Sequence, residues 1–320
     1  MPAINPTKGD VHVSTPLTNF AQRYMVAEND FVASRAMPML PVPKQADKYW
    51  IFDKETWLRR QAKKRAAGTE AAVGGFDLST DTYFAEERAF AHDLDDQTVA
   101  NADSVIQLNE SATRHVMFQL MLEREIDFAT LFLNSSSWTG GTLNVDWSDS
   151  ASTPLANFKT GKRTVQQKTG RKPNKLLIGR QSYDTLTEND EIISRISGGA
   201  TTNMPAMVMR QKLAELLELD AIYVMDAIYN SANEGATASY SFVGGDTALL
   251  YYAPDTAAIY EPTAGVSFNW NAPYGSTAEG MRIKRYRQEA ISSDRIEGQM
   301  AYDLKVTGAD LGYTFTTTSS

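Results

Sequence analysis

The densest grouping of chemically able side chains is His92-Asp93-Leu94-Asp95-Asp96, one imidazole and three carboxylates. These are donors that a hard or borderline divalent metal accepts, so a metal-dependent hydrolase using His92, Asp93, Asp95 and Asp96 is the catalytic reading. Adjacent side chains point in different directions, however. Acids just ahead of a helix also have a simpler use at its positive N-terminal end. Other catalytic frames are missing. The three histidines are His12, His92 and His115, and no Gly-x-Ser-x-Gly elbow accompanies them. Gly161-Lys162 fails as a phosphate loop, because Ala156 and Arg163 stand where Gly and Ser or Thr are needed. The acidic pairs Glu86-Glu87 and Asp190-Glu191 read as solvated faces, and Tyr251-Tyr252 and Trp270 as core or interface aromatics. With no cysteine, disulfides, zinc-thiolate sites and cysteine nucleophiles are excluded.

The elements that would have to position such residues are unusual. Tyr49-Trp50-Ile51-Phe52 is apolar on both strand faces, and the return limb alternates, with Phe76, Leu78 and Phe84 on one side and Asp77, Ser79 and Asp81 on the other. Between the limbs lie Arg59, Arg60, Lys63, Lys64 and Arg65, then Gly68 and Gly74-Gly75, which let a backbone reverse. A lone two-stranded hairpin is marginal in water, so this arm is expected to lie on another copy of the protein. Trp50, Phe52, Trp57, Phe76 and Phe84 are its expected anchors and the five cations its charged contacts, which give register more than affinity. A helix is then expected from Asp103, as N-cap, to about Leu133, on the order of 45 Å long. Val105, Leu108, Ala112, Val116 and Leu120 form its apolar stripe, with Glu110 four residues before Arg114.

The 320 residues, 42% hydrophobic and 22% charged, are globular in composition and can fill two domain-sized units. No run approaches a membrane span, and Met1–Pro6 lacks the regions of a signal peptide, so the product is expected in the cytoplasm or released by lysis. The net charge of −8 speaks against a dedicated nucleic-acid binder. The basic cluster Lys159, Lys162, Arg163, Lys168, Arg171, Lys172 and Lys175 reads as a solvated helix face opposite an acidic neighbour. Residues 1–46 read as an extended arm with one short helix at Thr18–Met25, and Ser135–Thr153 as a linker or exposed loop. Helices are expected at Pro154–Lys168, Gln181–Thr187 and Met204–Leu217. Strands are expected at Lys175–Ile178, Ala221–Val224, Tyr240–Val243, Ala248–Tyr252, Val266–Trp270 and around Met300–Val306, an α+β chain.

The runs Lys168–Asn174, Asp226–Gly235, Phe242–Tyr251, Glu261–Gly265, Ser293–Gly298 and Ala309–Tyr313, in that order after a hairpin and a long helix, resemble the major capsid proteins of tailed bacteriophages. The resemblance implies the Hong Kong ninety-seven type fold. Its parts would be an N-terminal arm (1–46), an extended β-hairpin loop (47–95), a spine helix with the start of a peripheral domain (96–153), a mainly axial domain (154–280) and a return to the peripheral domain (281–320). It further implies a non-enzymatic subunit without cofactor or metal, which self-assembles as hexamers and pentamers into an icosahedral shell around double-stranded DNA held without sequence specificity. Implied partners are a separate scaffolding protein, a decoration protein and a portal at one vertex, with no membrane and no covalent cross-link. The virion is the implied destination, after assembly in the host bacterium. An encapsulin-like compartment shell is the alternative of similar fold.

Overall fold

Apolar runs without alternation mark strands covered on both faces. Lys175–Gly179 and Thr247–Tyr251 are two such runs, and all their apolar residues are inside. The computed structural model that places them describes residues 31–101, 108–196, 210–257, 261–272 and 281–317. His12, the helix expected at Thr18–Met25, Asp103 and Val105 lie outside the described residues, as does the start of the helix expected from Met204.

In chain order, α1 (Ala33–Ala36), β1 (Met39–Val42), β2 (Ala46–Phe52), α2 (Lys54–Leu58), β3 (Leu78–Phe84) and β4 (Glu86–Asp95) come first. Next are α3 (Asp96–Asn101), α4 (Leu108–Phe132), β5 (Thr142–Val145), α5 (Pro154–Thr169), β6 (Lys175–Gly179), α6 (Arg180–Glu188) and α7 (Asp190–Ile196). Last are α8 (Arg210–Leu216), β7 (Ala221–Met225), β8 (Ile228–Asn230), β9 (Tyr240–Phe242), β10 (Thr247–Tyr251), β11 (Gly265–Trp270), β12 (Met281–Gln288), β13 (Ser293–Val306) and β14 (Gly312–Thr317). One sheet has the order β1-β11-β13-β12, with β4 also paired to β13; the other has the order β5-β14-β10-β6-β7. The chain is thus α+β, with β2-β3 and β8-β9 as separate two-stranded hairpins.

The helix α4 joins the two sheets. Ala112, Val116 and Leu120, at four-residue steps, bury against Leu94, Ile296, Met300 and Tyr302 of the first sheet. The close approach needs Gly298, where an added Cβ would meet Val116 Cγ1 at 2.6 Å. Farther along, Phe128, Ala129 and Phe132 bury against Leu177, Leu249 and Tyr251 of the second sheet and against Val32, Ala33 and Ala36. The other face of that sheet is covered by α5, through Phe158 and Val165. Pro154 opens α5 and Gly170, at φ 74°, closes it in the left-handed conformation.

Several expectations are corrected. The described part of α4, Leu108–Phe132, has 25 residues, about 37 Å, and its expected start at Asp103 falls outside the described residues. Glu86–Asp95 is not part of the hairpin: it pairs along β13 from Glu86↔Tyr302 to Asp95↔Ser293, a register that carries it onto α4. Ser135–Thr153 is no exposed linker, since Trp138, Val145 and Trp147 are buried and β5 joins the second sheet. The strand β11 belongs to the first sheet, and β14 lies between β5 and β10 in the second. Glu191 is not a solvated acid; its carboxylate accepts from Leu155 N at the start of α5.

Candidate assembly surface

The hairpin β2-β3 pairs seven residues on each side, from Ala46↔Phe84 to Phe52↔Leu78. Period-two alternation gives it two faces of different fate. Tyr49 and Tyr83 lie on the first, where Tyr83 stacks on Phe268 at 4.6 Å and Tyr49 lies 5.3 Å from the same ring. The Tyr49 hydroxyl donates to Asp81 at 2.9 Å, and this bond together with burial pushes the phenol up. This face rests on the protein's own first sheet. Trp50, Leu78 and Phe84 lie on the second face and are exposed. The alternation is as expected, with Phe84 and Leu78 on the open side; the inward side carries Tyr83, for which β11 supplies an aromatic partner.

Past the paired strands, Asp53 accepts from Glu55 N at 3.0 Å and starts the short helix α2. Phe52, Trp57 and Phe76 gather there, with ring centroids 5.7–6.4 Å apart. Trp50 is 69% and Trp57 62% exposed. Indole rings left this open in a chain that buries Trp138 and Trp147 mark surface suited to a partner. Arg59, Arg60, Lys63, Lys64 and Arg65 follow in irregular, exposed backbone, and no ion pair among the described residues involves them. Lys54, one turn earlier, pairs with Asp310 and ties the outer part of the hairpin to its own body. The structure thus brings Phe52, Trp57 and Phe76 together, leaves Trp50 and Phe84 on one face beside them, and sets the cations beyond.

The carboxylates proposed for a metal are dispersed. Asp93 takes a bidentate pair of bonds from Arg295 at 2.6 and 2.7 Å, and that guanidinium holds its carboxyl below the usual range. Asp95 accepts from Thr98 N at 2.7 Å as the cap of α3, and Asp96 pairs with Arg287 at 2.6 Å. His92 sits on the opposite face of β4, 6.0 Å from the His115 ring. Among the described residues no cluster of three His, Asp or Glu side chains is placed to hold a metal. The hydrolase reading is thereby corrected: strand alternation separates neighbours that adjacency in sequence had grouped. Three of the seven residues of the basic cluster have polar partners within the chain. Lys162 donates to Leu217 O and Glu218 O, Lys168 to Thr139 O at 2.6 Å, and buried Lys175 to Asp255 at 2.8 Å.

One residue escaped the sequence reading. Glu125 is fully buried in α4, where its carboxylate accepts from Val32 N at 3.1 Å and Ala33 N at 2.8 Å, anchoring the segment that leads into α1. Burial raises its pKa to about 7, against the opposing pull of those N–H groups and of Arg124 and Arg35. The signal was there: counting on by fours from Leu120 puts Arg124 on the apolar stripe with Glu125 beside it, where an apolar pair was due.

No protein-family model matches the chain. It is 25% identical over 311 residues to the major capsid protein of Burkholderia phage BcepMu, covering 94% of this chain and 95% of that one. It is 27% identical to the major capsid protein of Pseudomonas phage JBD67, covering 89% and 90%. A crystal structure of a phage-related protein from Bordetella bronchiseptica superposes with a TM-score of 0.67 at 18% identity, over 95% of this chain and 97% of that one. The mature capsid of bacteriophage PhiM1 superposes at 0.61 and 10% identity, over 97% and 93%. The fold is that of a phage capsid protein. The same architecture serves another kind of shell, since the encapsulin SrpI of Synechococcus elongatus superposes at 0.53 and 10% identity over 93% and 91%.

Proposed function

We propose that this chain is the major capsid protein of a tailed phage, a structural subunit whose copies close into the shell that holds the genome. The observation that carries this is similarity along some nine-tenths of the chain to two proteins named major capsid protein, with coverage nearly as complete on their side. Its work is association rather than turnover. Hexamers and pentamers are the expected units, and the cargo is double-stranded DNA held without sequence readout, in keeping with a net charge of −8. Trp50, Phe52, Trp57, Phe76 and Phe84 serve as anchors on the neighbouring copy, and Arg59, Arg60, Lys63, Lys64 and Arg65 set register. A separate scaffolding protein, a decoration protein and a portal complete the assembly, and the contacts are non-covalent. The virion is where the finished product resides.

Electron microscopy of the purified chain, alone and co-expressed with a scaffolding protein, tests the reading. Closed particles are expected; a monodisperse monomer under both conditions would overturn it. Nucleic-acid content of particles isolated from their natural source separates a capsid, filled with DNA, from a compartment filled with protein cargo.

A further inference from the structure

Two attachments of the chain to its own body meet on one turn of α4. Glu125 accepts from Val32 N at 3.1 Å and Ala33 N at 2.8 Å, holding the segment Phe31–Met37, and Asp127 pairs with Arg88 at 2.7 Å, where the hairpin enters β4. Arg124 connects them. It is buried, donates to Ser267 Oγ at 3.1 Å, and sets its guanidinium 5.5 Å from the centre of the Tyr302 ring. Arg88 lies over the same ring at 4.3 Å, and the Tyr302 hydroxyl donates to Asp127 at 2.8 Å. Two carboxylates and two guanidiniums thus gather around one buried phenol. Tyr302 in turn stands opposite Glu86 in the register of β4 with β13, two residues past Phe84, whose N–H donates to Asp303 at 2.9 Å. One polar band therefore runs from Val32 to the hairpin root at Phe84–Arg88.

Buried charges joined in this way cannot be satisfied one at a time. If Phe31–Met37 lifts, Glu125 loses both N–H donors. Of the two cations that act on its carboxylate, Arg35 leaves with the segment and Arg124 remains. A carboxylate left with that single partner draws the guanidinium toward itself, away from Ser267 and from the ring that carries Arg88. We propose that the band couples the two attachments: loosening Phe31–Met37 loosens the hairpin root, and loosening the root loosens Phe31–Met37 by the same factor, as linkage requires. The equilibria being coupled are two local openings, each short of unfolding the whole molecule. The coupling is internal to one copy and does not rest on the shell reading.

Amide hydrogen exchange of the full chain tests this, with each end loosened by a substitution outside the band. Phe31→Ala removes the ring that packs edge-on against Phe118 at 5.7 Å, and Tyr83→Ala removes the one stacked on Phe268 at 4.6 Å. Phe31→Ala is expected to quicken exchange at Phe84 and Ala85, and Tyr83→Ala at Val32, Ala33 and Ala36, by about fivefold or more, the lower end for coupled sites. Cutting the band with Arg124→Met should abolish these remote effects and leave the near ones. Tyr302→Phe, which removes only the hydroxyl on Asp127, is a milder cut that should weaken them, and it decides the matter if Arg124→Met does not fold. Amides of β6 and β10, buried in the second sheet, report the stability of the whole molecule. Remote rates within about twofold of the parent chain overturn the coupling. So does a remote rise no larger than that in β6 and β10, or one that persists undiminished after the band is cut.

Discussion

At the scale of single residues the molecule separates two uses of the same chemistry. Trp138 and Trp147 fill the interior while Trp50 and Trp57 stand in solvent, and composition alone does not distinguish the pairs. Residue type was legible in the sequence; the partner was not. The period that puts Phe84 on the open side was visible, whereas the ring of Phe268, more than 180 positions from Tyr83 and stacked on it, was not. Of the acidic and imidazole residues from His92 to Asp96, Asp93 and Asp96 are taken by Arg295 and Arg287, which arrive from the far end of the chain. Glu125 gives the sharpest prediction at this scale. Its pKa rises from 4.5 to about 7 on burial, so the folded form holds the proton more tightly than the unfolded one. The stability it contributes is full below about pH 4.5 and is lost as pH rises to about 7, by roughly 3 kcal/mol as an upper figure. Relative to Glu125→Gln, the parent chain should lose thermal stability between pH 5 and pH 8, and amide exchange at residues 32–36 should quicken over the same range. A constant difference between the two proteins across that range would show that Glu125 does not titrate there.

Among the elements, α4 and β13 are the pair on which the rest depends. The stripe Ala112, Val116 and Leu120 was readable from its four-residue steps, and so was the Glu110–Arg114 pair, which forms. Unreadable was the partner surface, a strand of fourteen residues that admits the helix closely at Gly298. Gly298→Ala should cost on the order of 1–3 kcal/mol, since backbone or Val116 must give way. Val116→Ala should cost roughly 1–3 kcal/mol through the space it leaves. The two residues touch, so denaturant melts of the double variant should show less than the sum of both losses. The hairpin behaves differently. Deleting Arg60 to Gly74 removes exposed chain and should change the melting temperature by no more than about 3 °C, yet abolish particles seen by electron microscopy. Particles formed as readily as by the parent chain would take the hairpin out of assembly.

As a whole molecule, the protein is two packed sheets sharing one helix, with aromatic and cationic surface carried outward on a two-stranded arm. Because Leu120 serves one core and Phe128 the other, two turns apart on α4, the cores should melt as one. Scanning calorimetry is expected to give a single transition whose calorimetric and van't Hoff enthalpies agree; two resolved transitions would show the helix to be a tether only. The order of elements foretold the architecture, but not which sheet each late strand would enter, because sheet membership is settled by pairing across long separations. The placement of β14 has a consequence for timing. It is an interior strand, and β5 pairs with nothing else in its sheet until residues 312–317 exist. Synthesis proceeds at about 5–20 residues per second, so for several seconds after β10 emerges the ribosome holds a half-built body. Only when residues 312–317 arrive can the second sheet close between β5 and β10.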